Sequence, residues 1–384
     1  MNVLVVASNI ISISETFIYN QLEALERNNT CTVLGISRSN ESVFDIKSDV
    51  VIVPPVPVSF IDKICTKFYR EKIGFGNYIY PYLSVKKIEK VIVSKKIDAI
   101  HVQYGSEALK MLPIAKKYNI PMYVSFHGFD ASQLLNEEVY TEALKSLFGY
   151  IDKALLCANE MYSRLEPFGL HKDKVEVVFC GIDTQKLSDI STVNNSGEII
   201  VTHAGRITEK KGVLDLVKVC EELFDEGFEF KLNLVGGGDL FGELEKVVDN
   251  SKYKSKINLT GALPHKDLLK IVASSDVYVL NSRTAKNGDK EGLPNTIFEA
   301  MLFGKPVLST IHSGIPEAIT TEESGLLVNE YDNSALKQNL IRLVESEELR
   351  VKLGKKAKEV ATNKFTKRAM IKHLDTIFKN ATRR

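Results

Sequence analysis

Two glutamates, Glu291 and Glu299, stand eight positions apart in the segment Glu291-Gly-Leu-Pro-Asn-Thr-Ile-Phe-Glu299. The first lies in a glycine-containing loop. The second lies in an apolar helical stretch that runs on through Ala300, Met301 and Leu302. Pro294 suits the first helical position, because its missing N–H would be unpaired there and its ring already holds a helical φ. The loop around Gly292 then sits at a helix N-terminus, where free N–H groups and the positive end of the dipole attract an anion. A carboxylate beside an anion site is no ligand for phosphate, so Glu291 and Glu299 must serve other atoms, most naturally hydroxyls. Among apolar neighbours, a carboxylate at 299 is costly unless it accepts hydrogen bonds. An anionic leaving group flanked by hydroxyl-rich moieties describes a nucleotide sugar.

Other clusters fit the same chemistry. Gly205-Arg206 directly follows the apolar run 199–203, and Lys211 stands five residues on. The planar guanidinium and the compact ammonium can together neutralise charge building on a departing pyrophosphate. His127 ends another apolar run, next to Gly128, which lets backbone approach a ligand; Asp130 is a second candidate in that loop. Gly236-Gly237-Gly238-Asp239 lacks G-x-G-x-x-G spacing and reads as a tight strand-to-helix turn near the nucleotide. The seven histidines have no H-x-x-x-H spacing, and no D-x-D stands in a strand-end loop, so no metal site is expected.

The elements that must position these residues come in two series. Short apolar runs at 3–7, 32–35, 50–53, 99–102, 122–126, 153–157 and 175–179 read as strands buried on both faces. The series restarts at 199–203, 230–235, 256–260, 277–280, 306–309 and 325–328, with amphipathic helices such as 213–224 and 336–345 between. Strand–helix alternation twice over predicts an α/β protein with two Rossmann-like, doubly wound parallel sheets. Ligands bind beyond the carboxyl ends of such strands, so two of these domains facing a central cleft would bring the motifs to it. The polar stretch 183–196 reads as the linker. Met370, Ile371, Leu374, Ile377 and Phe378 fit one face of a helix starting at Thr366. The expected division is 1–185, 186–365 and a terminal helix, 366–384.

Composition agrees. A chain of 384 residues can bury two cores. A net charge of +1 gives no bulk electrostatic reason to bind nucleic acid. The charge is uneven: residues 61–120 hold twelve Lys/Arg against five acids. Such a stretch is either a solvated helical face or a surface for anionic lipid or an anionic acceptor. Five scattered cysteines without C-x-x-C spacing read as small hydrophobes in a reducing cytosol. The N-terminal run is broken by Ser8, Asn9 and Ser12 and reads as a first strand, not a signal peptide. No window of 18 apolar residues exists, so a cytoplasmic protein is expected.

Glu291-x7-Glu299 followed by Ala300-Met301-x-x-Gly304-x-Pro306-Val307 resembles the retaining nucleotide-sugar transferases of glycosyltransferase family 4, which have the GT-B fold. Gly205-Arg206 through Lys211-Gly212 looks like that family's G-R-x-x-x-x-K-G segment, Ser313-Gly-Ile-Pro-Glu317 like its G-x-x-E turn, and Gly181-Ile-Asp183 like its interdomain G-I-D. Ser14-Glu-Thr-Phe-Ile18 and Phe126-His-Gly-Phe-Asp130 resemble a subgroup building bacterial exopolysaccharides of the colanic-acid and amylovoran kind. The resemblance spans nearly the whole chain and is thinnest over 40–95. It implies an acceptor-binding first domain, a donor-binding second domain, and a terminal helix that crosses back onto the first.

The resemblance also implies roles. Glu299 would take the ribose hydroxyls, and Glu291 the donor sugar near its reacting carbon. Gly205 and the backbone around Gly292, Leu293, Asn295 and Thr296 would hold sugar or β-phosphate. Arg206 and Lys211 would clamp the pyrophosphate, and His127 would contact the transferred sugar. No cofactor is implied beyond the nucleoside diphosphate sugar donor, with UDP-sugar preferred to GDP-sugar. The implied partners are a lipid-linked or oligosaccharide acceptor and an anionic membrane surface on the inner face of the cell membrane, with no nucleic acid. The loop 8–16 departs from the family by lacking paired glycines; Ser14 is expected instead to cap a helix with Phe17 and Ile18 turned inward. The rival reading is a GT-B nucleotide-sugar epimerase, which would isomerise donor without acceptor. A nicotinamide oxidoreductase would need G-x-G-x-x-G after the first strand, and a two-lobed solute-binding protein a signal peptide; neither is present.

Overall fold

Strands with no solvent-facing side need apolar residues on both faces, and the runs of Val, Ile and Leu in this chain supply them. The computed structural model describes residues 1–10, 16–38, 46–194 and 197–379. It divides into two units, Met1–Gly181 with Arg368–Arg384, and Ile182–Lys367.

In the first unit the strands are β1 (Asn2–Val6), β2 (Asn9–Ile10), β3 (Thr30–Gly35), β4 (Ser37–Arg38), β5 (Asp49–Ile52), β6 (Ala99–Gln103), β7 (Met122–Phe126), β8 (Lys153–Leu156) and β9 (Val175–Val177). Seven of them form one parallel sheet in the order β5-β3-β1-β6-β7-β8-β9. The two-residue strands β2 and β4 pair separately. They are too short to leave a periodic signal in sequence, and the sequence reading did not anticipate them.

One face of this sheet carries a core of Val3, Val5, Leu22, Leu25, Tyr123 and Leu155, which Met370, Leu374, Ile377 and Phe378 of the C-terminal helix complete. That helix spans Lys367–Lys379. Its apolar stripe is the one expected from the 3.6-residue spacing, and the Phe378 ring lies 4.6 Å from that of Tyr123.

The second unit has β10 (Ile200–Ala204), β11 (Lys231–Val235), β12 (Ile257–Gly261), β13 (Val277–Leu280), β14 (Val307–Thr310) and β15 (Leu326–Val328). They pair in parallel in the order β12-β11-β10-β13-β14-β15. Its core packs Val201, Leu232, Leu234 and Val279 against Leu216, Val217, Cys220 and Leu223 of the helix Val213–Asp225. Both units are thus doubly wound α/β sheets of the Rossmann-like kind. All five cysteines are free thiols, four of them buried. Among the described residues no helix is long and apolar enough to cross a membrane.

Candidate active site

The order of the second sheet reverses between β10 and β13, and ligands of open parallel sheets bind outside the carboxyl ends at such a point. Two loops leave the sheet there, 205–212 and 281–294. The first is fastened to the glycine turn after β11: the Gly205 N–H donates to the Val235 carbonyl and the Ile207 N–H to that of Gly237, both at 2.9 Å. A Cβ on Gly236 would stand 1.8 Å from the Gly205 carbonyl oxygen, and one on Gly238 2.4 Å from that of Ile207. The three-glycine turn therefore lets two backbones touch. Next comes a single 3₁₀ turn, Glu209–Lys211, closed by Gly212 at φ 62°. There a Cβ would meet the Asn281 carbonyl at 2.1 Å, so the left-handed turn and the close contact both require glycine.

This turn drives two adjacent lysines inward; Lys210 is 6% and Lys211 7% exposed. Lys210 Nζ lies 2.9 Å from an Asp289 carboxylate oxygen and 3.8 Å from Glu291 Oε1, and Lys211 Nζ lies 3.3 Å from the same Glu291 oxygen. Burial alone would raise the Glu291 pKa, but the Lys211 and Lys210 ammoniums outweigh it and hold the carboxyl below its ordinary range. Burial pulls the Lys211 ammonium down; Glu291 opposes this, while Lys210 and Arg206 add to it. Arg206 itself is exposed. The expected sugar contact, Glu291, is thus also the counter-ion of the expected clamp residue, Lys211.

Glu299 is buried on the helix Asn295–Leu302. His265 Nε2 reaches its Oε1 at 2.7 Å, and that bond raises the imidazole's pKa. Its Oε2 is buried with no hydrogen-bond partner among the described residues, and so is the Asn295 side-chain oxygen. The Tyr278 hydroxyl donates to the Ala204 carbonyl at 2.9 Å, and both Glu299 and Glu291 act electrostatically upon it. Arg206, Lys211, Glu291 and Glu299 are therefore gathered about the ends of β10 and β13.

Pro294 corrects the sequence reading by one position. With φ −69° but ψ 125° it is the extended N-cap residue, and the helix starts at Asn295. Its carbonyl accepts the Ile297 N–H at 3.1 Å, so the ring fixes the entry of the chain and not the first turn.

A second group of residues holds the Glu291 loop. The Glu291 N–H donates to His312 Nε2 at 3.1 Å, the Ser313 hydroxyl donates to the Glu291 carbonyl, and the Gly314 N–H to that of Gly292 at 3.2 Å. Because Nε2 accepts, the His312 proton sits on Nδ1, which bonds Glu330 Oε1 at 2.6 Å. The other Glu330 oxygen takes the Thr284 N–H at 2.7 Å. Sequence reasoning missed Asp289, His265, His312 and Glu330 and passed over Lys210. Lys210 and Asp289 lie within two residues of ones it did select; the other three lie 18 to 34 residues from their partners and carry no local signal.

His127 belongs to the first unit. Its N–H donates to Asp130 Oδ1 at 2.7 Å, Asp130 Oδ2 takes the Gly105 N–H at 2.6 Å, and the Tyr140 hydroxyl caps the Asp130 carbonyl at 2.9 Å. Asp130 thus ties the loop after β7 to the loop after β6. Burial pushes its carboxyl up to about 7 against those N–H donors. Burial lowers the His127 pKa to about 3, so the ring is neutral, set 4.5 Å from Phe17 and 4.6 Å from Tyr104. Ser14, with the rest of 11–15, lies outside the described residues. Among the described residues no group of three or more His, Cys, Asp or Glu side chains is arranged to hold a metal ion.

Two family models match the chain, "Glycosyltransferase Family 4" over residues 14–186 and "Glycosyl transferases group 1" over residues 184–360. Together these two glycosyltransferase models cover residues 14–360 of the chain. It is 30% identical over 256 residues to WcaL of Escherichia coli, named for colanic acid biosynthesis, covering 66% of this chain and 62% of that protein. It is 30% identical over 251 residues to the amylovoran biosynthesis glycosyltransferase AmsK of Erwinia amylovora, covering 65% and 62%. The matched region thus spans about three fifths of these relatives' length. Among solved structures, HepE of Anabaena in complex with UDP and glucose matches with a TM-score of 0.80 and 14% identity over 99% of this chain and 100% of that one. The fold is GT-B.

The His312 arrangement sets a pH dependence in this glycosyltransferase-family chain. Burial lowers the His312 pKa against the raising influence of Glu330. A depressed histidine contributes stability fully above its unfolded value of about 6.5 and loses it as pH falls through the folded value. The difference in melting temperature between wild type and His312→Asn should be constant above about pH 6.5 and shrink below it. A difference independent of pH would remove His312 as the neutral acceptor.

Proposed function

We propose that this chain is a cytoplasmic, retaining glycosyltransferase that moves a sugar from a nucleoside diphosphate sugar to a lipid-linked acceptor in bacterial surface polysaccharide assembly, with UDP as the carrier and no metal ion required. One observation carries the reading: fixed cations, Lys211 and Arg206, share the ends of β10 and β13 with a buried carboxylate oxygen, Glu299 Oε2, that has no hydrogen-bond partner among the described residues. An unpaired buried carboxylate oxygen is costly, and a ribose hydroxyl would satisfy it. Pyrophosphate would meet Arg206, Lys211 and the N–H groups at the start of the helix Asn295–Leu302. As the C1–O bond to phosphate breaks, these charges would stabilise the leaving group where its charge develops. The acceptor hydroxyl would bond C1 from the same face and pass its proton to the departing phosphate oxygen. Glu291 would meet the donor sugar while keeping Lys211 charged, and neutral His127 would hydrogen-bond a sugar hydroxyl. The relatives' polysaccharide names support the pathway, and the UDP in the HepE structure supports the choice of nucleotide. The epimerase reading is not favoured, because WcaL and AmsK are named as glycosyltransferases.

A surface feature supports docking to anionic lipid. The helix Phe60–Ile73 buries its polar Asp62 and Thr66, which receive the Leu83 and Tyr82 N–H groups at 3.0 Å. Its apolar side chains face outward instead, with Phe60 77% and Phe68 66% exposed beside exposed Ile61 and Ile64. Lys63, Lys67, Arg70 and Lys72 are exposed on the same helix. Apolar residues outward among basic ones suit a leaflet boundary with anionic headgroups.

Calorimetry with UDP and with a panel of UDP-, GDP-, ADP- and dTDP-sugars tests the site. Glu299→Ala should weaken binding of the free nucleotide and of the sugar donor alike, whereas Glu291→Gln should weaken the sugar donor more than the free nucleotide. Arg206→Ala should bind donor and turn over about 10²–10³-fold more slowly. Free-nucleotide binding untouched by Glu299→Ala would overturn the ribose assignment. The stereochemical claim is read by NMR of the new linkage, made once with excess chelator and once with magnesium. The donor's anomeric configuration should be kept in both; an inverted product or strict metal dependence would refute the mechanism. For location, co-sedimentation with anionic but not neutral vesicles at low salt is expected, lost in Phe60→Ser/Phe68→Ser. Equal indifference to both vesicles would make this helix an ordinary solvated face.

A further inference from the structure

The sheet of the first unit carries polar side chains where apolar ones would pack more cheaply. His101 and Gln103 alternate on β6, and Tyr123 and Ser125 stand opposite them on β7, with Gln103 registered to Ser125. Alternation by two places all four on one face, and His127 continues the row past the end of β7. Four members of this row, His101, Gln103, Ser125 and His127, are buried, and so is Gln21 of the overlying helix Thr16–Glu26. Five polar side chains in an apolar layer are tolerated only if they satisfy one another.

They pair one to the next in a single line, and only His101 Nδ1 among these five side chains is buried without a hydrogen-bond partner among the described residues. Gln103 Oε1 meets His127 Nε2 at 3.0 Å, and Gln103 Nε2 donates to Gln21 Oε1 at 2.8 Å. The same Gln21 oxygen accepts the Ser125 hydroxyl at 3.2 Å, and Ser125 Oγ meets His101 Nε2 at 2.9 Å. With Gln103 Nε2 donating to Gln21 Oε1, the line has one direction. Gln21 Oε1 can only accept, so Ser125 donates to it and takes its own bond from His101 Nε2–H. Gln103 spends its N–H₂ on Gln21 and so presents its oxygen to His127, whose Nε2 must carry the proton. The far end is closed by the C-terminal helix, whose Phe378 ring packs edge-on at 5.7 Å from His101.

We infer that Gln103, held by Gln21 and Ser125, is a positioning residue that fixes His127 in the Nε2–H tautomer and leaves Nδ1 as the acceptor edge of the ring. A neutral ring in one tautomer can receive a hydroxyl proton at Nδ1 but cannot donate one there, which selects a sugar hydroxyl acting as donor. This inference deepens the proposed function and rests on its reading of His127 as a sugar contact.

The decisive measurement is long-range ¹H–¹⁵N correlation of the histidine rings in the 384-residue chain. Wild-type His127, assigned by its loss in His127→Gln, should show a protonated Nε2 and an unprotonated Nδ1 at pH 7. Gln103→Met keeps the length but removes both the oxygen and the amide donor, and should give averaged nitrogen shifts from two tautomers in a chain whose melting temperature falls but whose amide spectrum remains that of the folded protein. With the nucleotide sugar that gives the largest heat in the panel above, Gln103→Met should keep the donor Kd and lose turnover about tenfold, the kinetic equivalent of one misplaced hydrogen bond. A wild-type ring protonated on Nδ1 overturns the inference, and needs no variant to fold. So does a Gln103→Met protein whose tautomer is unchanged. Full turnover in His127→Gln would instead overturn the sugar-contact reading while leaving the tautomer assignment standing.

Discussion

Two adjacent lysines pointing into the protein are the constraint on which the second unit is built. Lys210 and Lys211 would repel each other and forfeit hydration if buried alone. Asp289 and Glu291 make the burial tolerable, and both come from the loop after β13. That loop must therefore be held against the turn after β10, and the remaining contacts do this. Gly212 admits the Asn281 carbonyl, His312 and Ser313 grip the Glu291 backbone, and Glu330 fixes the proton of His312. The consequence is a pair of ammoniums and a pair of carboxylates fixed against one another at the end of the sheet. On the proposed function, charge preorganised in this way would cost no rearrangement as a leaving group departs.

The first unit solves a related problem without net charge. A row of polar residues on the inner face of a sheet must find partners within that layer, and the line from His101 to His127 supplies them one to the next. Asp130, at the loop end of the same region, accepts the N–H groups of Gly105 and His127, so the loops after β6 and β7 are tied by one carboxyl. In both units, buried polar groups are paired by residues from distant segments, and the apolar sheets hold those segments in register.

Much of the fold could be read from the chain alone. Each run of four to six largely apolar residues bounded by turn signals became a parallel strand, because a strand covered on both faces is built mainly from apolar side chains. The spacing of Met370, Leu374, Ile377 and Phe378 specified one helical face, but which core that face would complete depended on contact with Val3, Val5 and Tyr123. The start of the helix at Asn295 was displaced by one residue from the sequence reading, since a proline's φ fits both the N-cap and the first turn and only ψ distinguishes them. The pair β2 and β4 left no readable pattern at two residues each.

By itself the sequence determined the two-sheet α/β class, the loops that end β7, β10 and β13, and the residue types at the site, because hydrophobic periodicity and motif spacing are local properties of the chain. The tertiary structure alone decided the pairings. That Glu291 neutralises Lys211, that His265 takes one oxygen of Glu299 and leaves the other bare, that His312 accepts from Glu291 only through Glu330, and that Gln103 orients His127 all join residues 18 to 80 positions apart. Such bonds require two carboxyl-terminal strand ends to be brought within hydrogen-bonding distance. Only the two assembled open sheets, the first with its order reversed at β1/β6 and the second at β10/β13, bring them there.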